Sequence, residues 1–192
     1  MIDEFSSFAR MPTPVLKPEN LVEIVHRAVF LQRTAHPDIV FDAHLPSRPV
    51  TIRCDARLVS QALINIVKNA IEAVELRIAE QGADPAGHIR VSVSAIAGQA
   101  AVIVEDNGKG LPHQGREQLT EPYVTTRVKG TGLGLAIVKK IMEDHQGELA
   151  LEDGEPGGTR VKLIFVASET RTTDQPDAVE QPKELSTAGH GA

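Results

Sequence analysis

The sequence has almost no cysteine, and this excludes two ways of stabilising a small domain. Cys54 is the single cysteine among 192 residues. It cannot form an internal disulfide, and no second cysteine is present for a cysteine-based zinc site. A reducing, cytoplasmic setting fits this composition. We expect Cys54 to be a small buried hydrophobic side chain.

Long hydrophobic runs are also lacking. No apolar stretch approaches the ~20 residues that cross a bilayer as a helix. The first ten residues carry Asp3 and Glu4 and do not have the pattern of a signal peptide. The chain is therefore predicted to be soluble, although it could be a piece of a protein that is not.

The sequence has no excess of basic residues. Its formal net charge is −6 and its pI is about 5.6. Proteins that bind nucleic acid through its phosphates need a basic surface, so a nucleic-acid partner is not expected. Binding of a single nucleotide stays possible, because a few basic groups and backbone N–H donors can hold phosphates locally.

The composition, 41% hydrophobic and 24% charged residues, is that of one globular domain with residues to spare for tails. Apolar residues repeat with the helical period in three stretches and alternate in six, which form three successive strand pairs. The predicted helices cover residues 19–35, 56–81 and 133–145, and the predicted strands cover residues 39–46, 49–54, 88–97, 100–106, 148–153 and 159–167.

This order of elements predicts an α+β fold. Helices and strand pairs intermix without a regular βαβ alternation, so we expect one layer of helices on one face of a mixed, mostly antiparallel sheet. Asp55 is placed to cap the start of the long helix, and Gly147 to cap the end of the last one.

The domain is predicted to span residues 19–167. Residues 1–18 have the character of a segment cut from something larger, with three prolines close together at its end. From residue 168 onward the apolar pattern is gone. Residues 168–192 cannot bury enough surface to offset their ordering entropy and are expected to be disordered.

The long helix has an unusual polar face. Asn65, Lys68, Asn69 and Glu72 are spaced so that they share one side of the helix, next to its apolar stripe. A solvated helix face is one explanation. A metal–phosphate site is the other, because an amide oxygen such as that of Asn69 suits Mg²⁺ and Lys68 could reach a phosphate.

A glycine-containing run, residues 105–110, comes at the end of the fourth predicted strand. An ordinary Asn-Gly turn would explain part of it but not the second glycine. Gly108 and Gly110 would let the backbone approach a flat ligand closely. Asp106 is an acceptor that could pair with the exocyclic amino group of adenine. A base lacking that donor would then bind roughly 10⁴-fold more weakly.

A second glycine-rich run, residues 130–135, opens the last helix. Backbone N–H groups and the helix dipole make such a start an anion site. The run is not a Walker loop, because the lysine and Ser/Thr pair is missing. It is not a dinucleotide fingerprint either, because the glycine spacing fails at Leu135. Each of the three features alone has an ordinary explanation, and their order is what points to a nucleotide site.

In that order, the features resemble the catalytic, ATP-binding domain of two-component sensor histidine kinases, whose Bergerat fold is shared with gyrase, Hsp90 and MutL. The similarity covers roughly residues 19–166, and the sequences of the motifs are most similar to those of the NtrY-type nitrogen-regulation kinases. The matching segments are an N box at 63–74, a first glycine box at 104–112, an F box at 120–126, a second glycine box at 129–149 and a final strand at 157–165. Two positions depart from the usual pattern: Leu111 stands where isoleucine is common, and Tyr123 where phenylalanine is usual.

The resemblance implies a two-layer α/β sandwich that binds ATP and Mg²⁺. It implies that Asn69 ligates Mg²⁺ with help from Asn65, that Lys68 contacts phosphate, and that Asp106 binds the adenine amino group with Thr159 supporting through water. It also implies a mobile lid over residues 111–129. The other nucleotide-binding residues it implies are Gly108, Gly110, Thr126, Lys129, Gly130, Thr131, Gly132, Leu133 and Gly134.

The implied reaction is transfer of the ATP γ-phosphoryl group to a histidine. In ATPase relatives a water-activating glutamate sits four positions before the metal asparagine. Asn65 occupies that position here, so transfer is favoured over hydrolysis. None of the seven histidines is followed by a glutamate and an apolar residue, as the family's acceptor is.

The acceptor histidine and its dimerisation domain are therefore expected outside this chain. Residues 1–16 look like the last turns of the dimerisation helix. The chain should bind Mg-ATP without phosphorylating itself. The parent protein would be anchored in the inner membrane with this part in the cytoplasm, and a response regulator would be its indirect partner.

Two other functions stay open at this level. One is a serine kinase of the anti-sigma-factor type, which shares the fold. The other is a non-catalytic module that senses nucleotide or docks a partner. An acid-labile phosphohistidine product, an acid-stable phosphoserine product, or no binding of Mg-ADP at millimolar concentration would separate the three.

Overall fold

A computed structural model describes residues 12–112, 114–124, 131–155 and 157–167. These residues contain three α-helices, seven strands and a 3-10 helix. All three helices and six strands expected from the sequence are present, and the first strand and the 3-10 helix are additions. The elements are β1 Lys17–Asn20, α1 Leu21–Ala35, β2 Val40–His44, β3 Thr51–Cys54, α2 Ala56–Gln81, β4 His88–Ile96, β5 Gln99–Asp106, the 3-10 helix Arg116–Thr120, α3 Gly134–Asp144, β6 Glu148–Asp153 and β7 Thr159–Val166.

The main sheet has five strands in the order β2-β4-β5-β7-β6. β2 and β4 run parallel, and the other pairs are antiparallel. Alternate residues of β5, such as Val102 and Val104, are buried on one face, while Ile103 and Glu105 on the other face are half-buried. The helices pack on the buried face, with α2 between α1 and α3. This confirms the expected α+β sandwich.

The pairing expected for residues 39–46 and 49–54 is wrong. β2 joins the main sheet beside β4, whereas β3 pairs antiparallel with β1 in a separate two-stranded sheet. The connection contains Pro46 and Pro49, which lack a backbone N–H and fix φ. A hairpin ladder cannot run through them, and each strand takes another partner.

Side chains cap the starts of α1 and α2, and backbone geometry defines the end of α3. Asn20 and Asp55 accept hydrogen bonds from the first-turn backbone of α1 and α2, which confirms Asp55 as a cap. At the end of α3, Gln146 takes the left-handed conformation, with φ +55°. Gly147, predicted as the capping residue, instead follows it and donates its N–H to the Met142 carbonyl at 2.8 Å.

The core confirms the interpretation of Cys54, whose thiol is fully buried and unpaired. Burial raises the pKa of this thiol to about 12. Among the described residues, none of the helices combines the length and hydrophobicity that a membrane span requires.

Candidate functional site

The polar face of α2 lies beside the start of α3. Its rotation is fixed by buried neighbours such as Ile66 and Ala70, which leave Asn65 and Asn69 half-buried and Lys68 exposed. The amide nitrogen of Asn65 donates to the Gly134 carbonyl at 3.4 Å. α2 therefore presents two amide side chains to the glycine-rich segment, as the sequence predicts.

Gly134 lies beside the Asn69 amide without crowding it. A Cβ placed on it would lie 4.0 Å from both side-chain heteroatoms of the Asn69 amide. Within the described part of the chain, no side chain caps the first turn of α3. An anion at this helix start would therefore face backbone N–H groups and the positive end of the dipole.

The segment before α3 is tightly held. Gly132 has a φ of +68°, and a Cβ there would lie 2.6 Å from the carbonyl carbon of Tyr123. The Tyr123 N–H donates to the Gly132 carbonyl at 3.0 Å. The hydroxyl of Thr131 accepts from the Leu133 N–H at 3.5 Å. Only glycine fits at residue 132 without moving backbone.

The second part of the site is a buried carboxylate at the end of β5. Asp106 is 7% exposed. Its Oδ1 accepts hydrogen bonds from the N–H of Gly108 at 2.8 Å and from the N–H of Thr159 at 3.3 Å. Two fixed donors on one oxygen fix the orientation of the carboxylate.

Glycines let the chain after Asp106 pass close to its neighbours. A Cβ on Gly108 would lie 2.6 Å from the carbonyl carbon of Ala73 on α2. Gly110 has a φ of +75°, and a Cβ there would lie 2.7 Å from the Gly157 carbonyl oxygen. The glycine-rich turn thus lies on the same helix, α2, that carries the two asparagines.

One helix therefore connects a pair of amide side chains, an open helix start and a buried carboxylate. A family model described as histidine kinase-, DNA gyrase B-, and HSP90-like ATPase matches residues 54–169, which include all three. The chain belongs to this family.

Individual relatives agree with the family model. The nitrogen regulation protein NtrY of Azorhizobium caulinodans is 50% identical over 168 residues, covering 87% of this chain and 21% of that protein. The chain thus spans about a fifth of that relative's length. The resemblance inferred from the sequence is confirmed: this is an ATP-binding domain of the histidine-kinase type.

Solved structures show the same architecture. A mycobacterial sensor histidine kinase, MprB, superposes with a TM-score of 0.68 at 26% identity, covering 80% of this chain and 98% of that one. The nucleotide-free catalytic domain of histidine kinase ThkA gives 0.68 at 28% identity, covering 79% of this chain and 97% of that one.

The sequence analysis assigned no role to three residues of this ATP-binding domain. Gly158 passes so close to β5 that a Cβ on it would lie 1.6 Å from the Asp106 carbonyl oxygen. Ala73 supports the first glycine box, and Asn107 fixes it to the start of β4. A signal existed for Ala73, since it lies one turn after Asn69 on the same helix row.

The structure describes only part of residues 111–129, the segment predicted to form a lid. Thr126, Lys129 and Gly130, all predicted nucleotide-binding residues, lie outside the described residues. Within its described part, Arg116 pairs with both carboxylate oxygens of Asp153 at 2.8 Å and donates from Nε to the Pro112 carbonyl. The 3-10 helix is thereby attached to the end of β6.

Proposed function

We propose that this domain holds Mg-ATP between α2, the turn after β5 and the start of α3. It donates the γ-phosphoryl group to a histidine of a dimerisation domain outside this chain, in two-component signalling for nitrogen regulation. The observation that supports this most strongly is the meeting of Asn65 and Asn69 with Gly134, at the start of α3, which no side chain of the described residues caps. The 50% identity to NtrY supports the signalling role.

The residues present fit Mg²⁺ bound to phosphate. Amide oxygens are hard donors of the kind that Mg²⁺ takes. In the proposed site Asn69 ligates the ion with help from Asn65, and Lys68 contacts a phosphate as a point charge. When bound, the metal neutralises charge that develops on the transferred phosphoryl group. The chain's own contribution is to position the phosphates through the backbone of Gly132, Leu133 and Gly134.

The base end of the proposed site is Asp106. Its carboxylate accepts from the adenine amino group, with Thr159 in support, while Gly108 and Gly110 line the pocket. The roles predicted for Thr131 and, outside the described residues, for Thr126, Lys129 and Gly130 belong to the same proposal.

His145 is unsuited to accept the phosphoryl group. It is 7% exposed, and its Nε2 accepts from the Asp55 N–H at 2.9 Å. Its Nδ1 lies 2.7 Å from the Ile141 carbonyl and is therefore the protonated nitrogen. This supports an acceptor histidine on a separate dimerisation domain. The proposal also includes a membrane-anchored parent protein and a response regulator as an indirect partner.

Substitution of Asn69 by alanine tests the metal role. Calorimetry of ADP binding with Mg²⁺ and with a chelator should show a Mg²⁺-dependent gain in wild type that is largely lost in Asn69→Ala, because an amide ligand is missing. Asn20→Ala is the matched control, since Asn20 caps α1. Equal Mg²⁺-dependent gains in wild type and Asn69→Ala would refute the role.

A phosphotransfer assay tests the reaction. The chain is mixed with labelled ATP and an isolated histidine-containing dimerisation domain. We expect an acid-labile phosphohistidine on that domain. An acid-stable phosphoserine product would instead point to a serine kinase, and the absence of Mg-ADP binding at millimolar concentration would leave only a docking module.

A further inference from the structure

The side chain of Asn107 joins the first glycine box to the strand beside it. Its Oδ1 accepts from the His88 N–H at 2.9 Å, and its Nδ2 donates to the Ala86 carbonyl at 2.8 Å. The backbone N–H of Asn107 also donates to the His88 carbonyl at 3.2 Å. Three hydrogen bonds therefore hold this one residue to the start of β4.

These bonds explain how the chain leaves the sheet at this point. The last paired residues of β4 and β5 are Ile89 and Asp106. In a regular antiparallel ladder the next pair would exchange two backbone bonds. Here the side-chain oxygen of Asn107, and not its backbone carbonyl, accepts the hydrogen bond from the His88 N–H. The backbone after Asn107 can therefore leave the sheet and turn towards α2. The Lys109 N–H then donates to the Ala73 carbonyl at 3.3 Å.

Asn107 is also the middle residue of the turn that orients the Asp106 carboxylate. The ends of this turn are joined by the hydrogen bond from the Gly108 N–H to Asp106 Oδ1, at 2.8 Å. A shift of Asn107 would therefore move both the carboxylate and the donor that fixes it.

The segment to which Asn107 is hydrogen-bonded also accepts a hydrogen bond from a side chain of α2. Arg77 is 6% exposed and donates from Nη2 to the Pro85 carbonyl at 2.7 Å. Pro85 directly precedes Ala86, whose carbonyl accepts from Asn107. Two side chains from different elements thus bind adjacent carbonyls, and this gives the turn a fixed support.

We propose that Asn107 is a positioning residue for base recognition. By fixing the middle of the turn from Asp106 to Gly108, it sets where the carboxylate meets the base. The preference for a base with an exocyclic amino group then depends on Asn107, although Asn107 does not touch the nucleotide. This inference rests on the proposed role of Asp106 in binding adenine.

The test is the ratio of affinities for ADP and for inosine diphosphate, which lacks the amino group. Both are measured with Mg²⁺ on the full chain by calorimetry, at a temperature where circular dichroism shows each variant folded. In Asn107→Ala we expect the preference for ADP to fall about ten- to a hundredfold, because a misplacement of about 1 Å can cost up to about 10²-fold. Affinity for inosine diphosphate should change little, because its phosphates contact α2 and α3.

A purely structural role would weaken both ligands equally and leave the ratio unchanged. Asn20→Ala is the matched control: Asn20 Oδ1 accepts from the N–H groups of Val22 and Val50, at 3.2 and 3.3 Å, where β1 meets α1. Its ratio should equal that of wild type. Asn107→Asp keeps an acceptor for the His88 N–H but places a carboxylate oxygen next to the Ala86 carbonyl, where the amide nitrogen donated. Its ratio of affinities for ADP and inosine diphosphate should therefore also fall.

The outcomes separate this inference from the proposed function. If wild type prefers ADP and both Asn107 variants keep that preference, the positioning role is wrong and the role of Asp106 stands. If Asn107→Ala does not fold, the Asn107→Asp ratio decides alone. If wild type has no preference for ADP, base recognition by Asp106 and the role of Asn107 both fail, while the metal role of Asn69 is judged separately.

Discussion

Gly134 and Gly158 lie in the same proposed site, but the lack of a side chain matters for a different reason at each position. A Cβ on Gly158 would overlap the Asp106 carbonyl oxygen, at 1.6 Å. Among the described residues, the atoms nearest to a Cβ on Gly134 are those of the Asn69 amide, at 4.0 Å. Gly158 is therefore required by the fold itself, whereas the space beside Gly134 is available to a ligand.

This contrast predicts opposite effects of two alanine substitutions. Gly134→Ala should fold with unchanged or slightly higher stability, because alanine favours a helix over glycine by up to about 1 kcal/mol. Its affinity for Mg-ADP should fall, because the methyl group enters the space beside Asn69. Gly158→Ala should lose at least about 1–3 kcal/mol of stability, since a backbone carbonyl must move.

Urea unfolding and calorimetry on the two variants check the pair. The interpretation of Gly134 fails if the alanine variant binds Mg-ADP as tightly as wild type. The interpretation of Gly158 fails if its alanine variant unfolds at the same urea concentration as wild type.

At the scale of elements, Asp55 connects three parts of the chain. Its carboxylate accepts from the N–H groups of Val15, Arg57 and Leu58, and its own N–H donates to His145. The start of α2, the segment before β1 and the end of α3 are held together at this residue. Since α2 and α3 also carry the two sides of the proposed phosphate site, Asp55 helps to fix their relative position.

Asp55 should make the domain sensitive to acid. Burial alone would raise the pKa of its carboxyl, but the hydrogen bonds to Val15, Arg57 and Leu58 outweigh it and lower the pKa from 3.8 to about 2. The folded form therefore gains stability above pH 3.8 and loses it as the pH falls towards 2. A shift of this size corresponds to about 2 kcal/mol.

Urea unfolding of wild type and Asp55→Asn at several pH values measures this contribution. Asparagine still caps a helix, so the variant should fold. We expect the stability difference between the two proteins to be largest near neutral pH and to shrink by about 2 kcal/mol at the acid end. A difference that stays constant with pH would contradict the role assigned to the Asp55 charge.

The same elements show what sequence patterns can and cannot predict. The helices and the strand pairs β4–β5 and β6–β7 follow from local periodicity, because each is decided within a few neighbouring residues. The pairing of β2 with β4 does not follow from local periodicity, since a helix of 26 residues separates the two strands in the sequence. β1 has two exposed and two half-buried residues. It therefore has no apolar alternation, and only the backbone of β3 defines it.

The site shows the same division. Asn65, Asn69 and Asp106 could be predicted as candidates because their side-chain chemistry is unusual at those positions in a helix and at a strand end. Gly158 and Asn107 act through backbone atoms of residues distant in sequence. Their importance depends on approach distances that no spacing rule contains.

At the scale of the whole molecule, the proposed nucleotide site joins α2, the end of β5, the start of α3 and the start of β7. A ligand that binds all four in the folded state and none in the unfolded state raises the free energy of unfolding by mass action. At a ligand concentration about 100 times Kd the gain is about 2.7 kcal/mol. At equal ligand concentration, the extent of stabilisation thus reports how tightly each ligand binds the folded domain.

We therefore expect Mg-ADP to raise the melting temperature more than ADP with a chelator, and more than Mg-inosine diphosphate at the same concentration. In Asn69→Ala the increase with Mg²⁺ should fall to the level seen with the chelator, because the contact between α2 and the phosphates is weakened. Inosine diphosphate should still respond to Mg²⁺ in wild type, since the phosphate end of the site does not depend on the base. Equal shifts for all three ligand conditions in wild type would mean that the nucleotide does not engage both the phosphate end and the base end of the proposed site, and that site would be wrong.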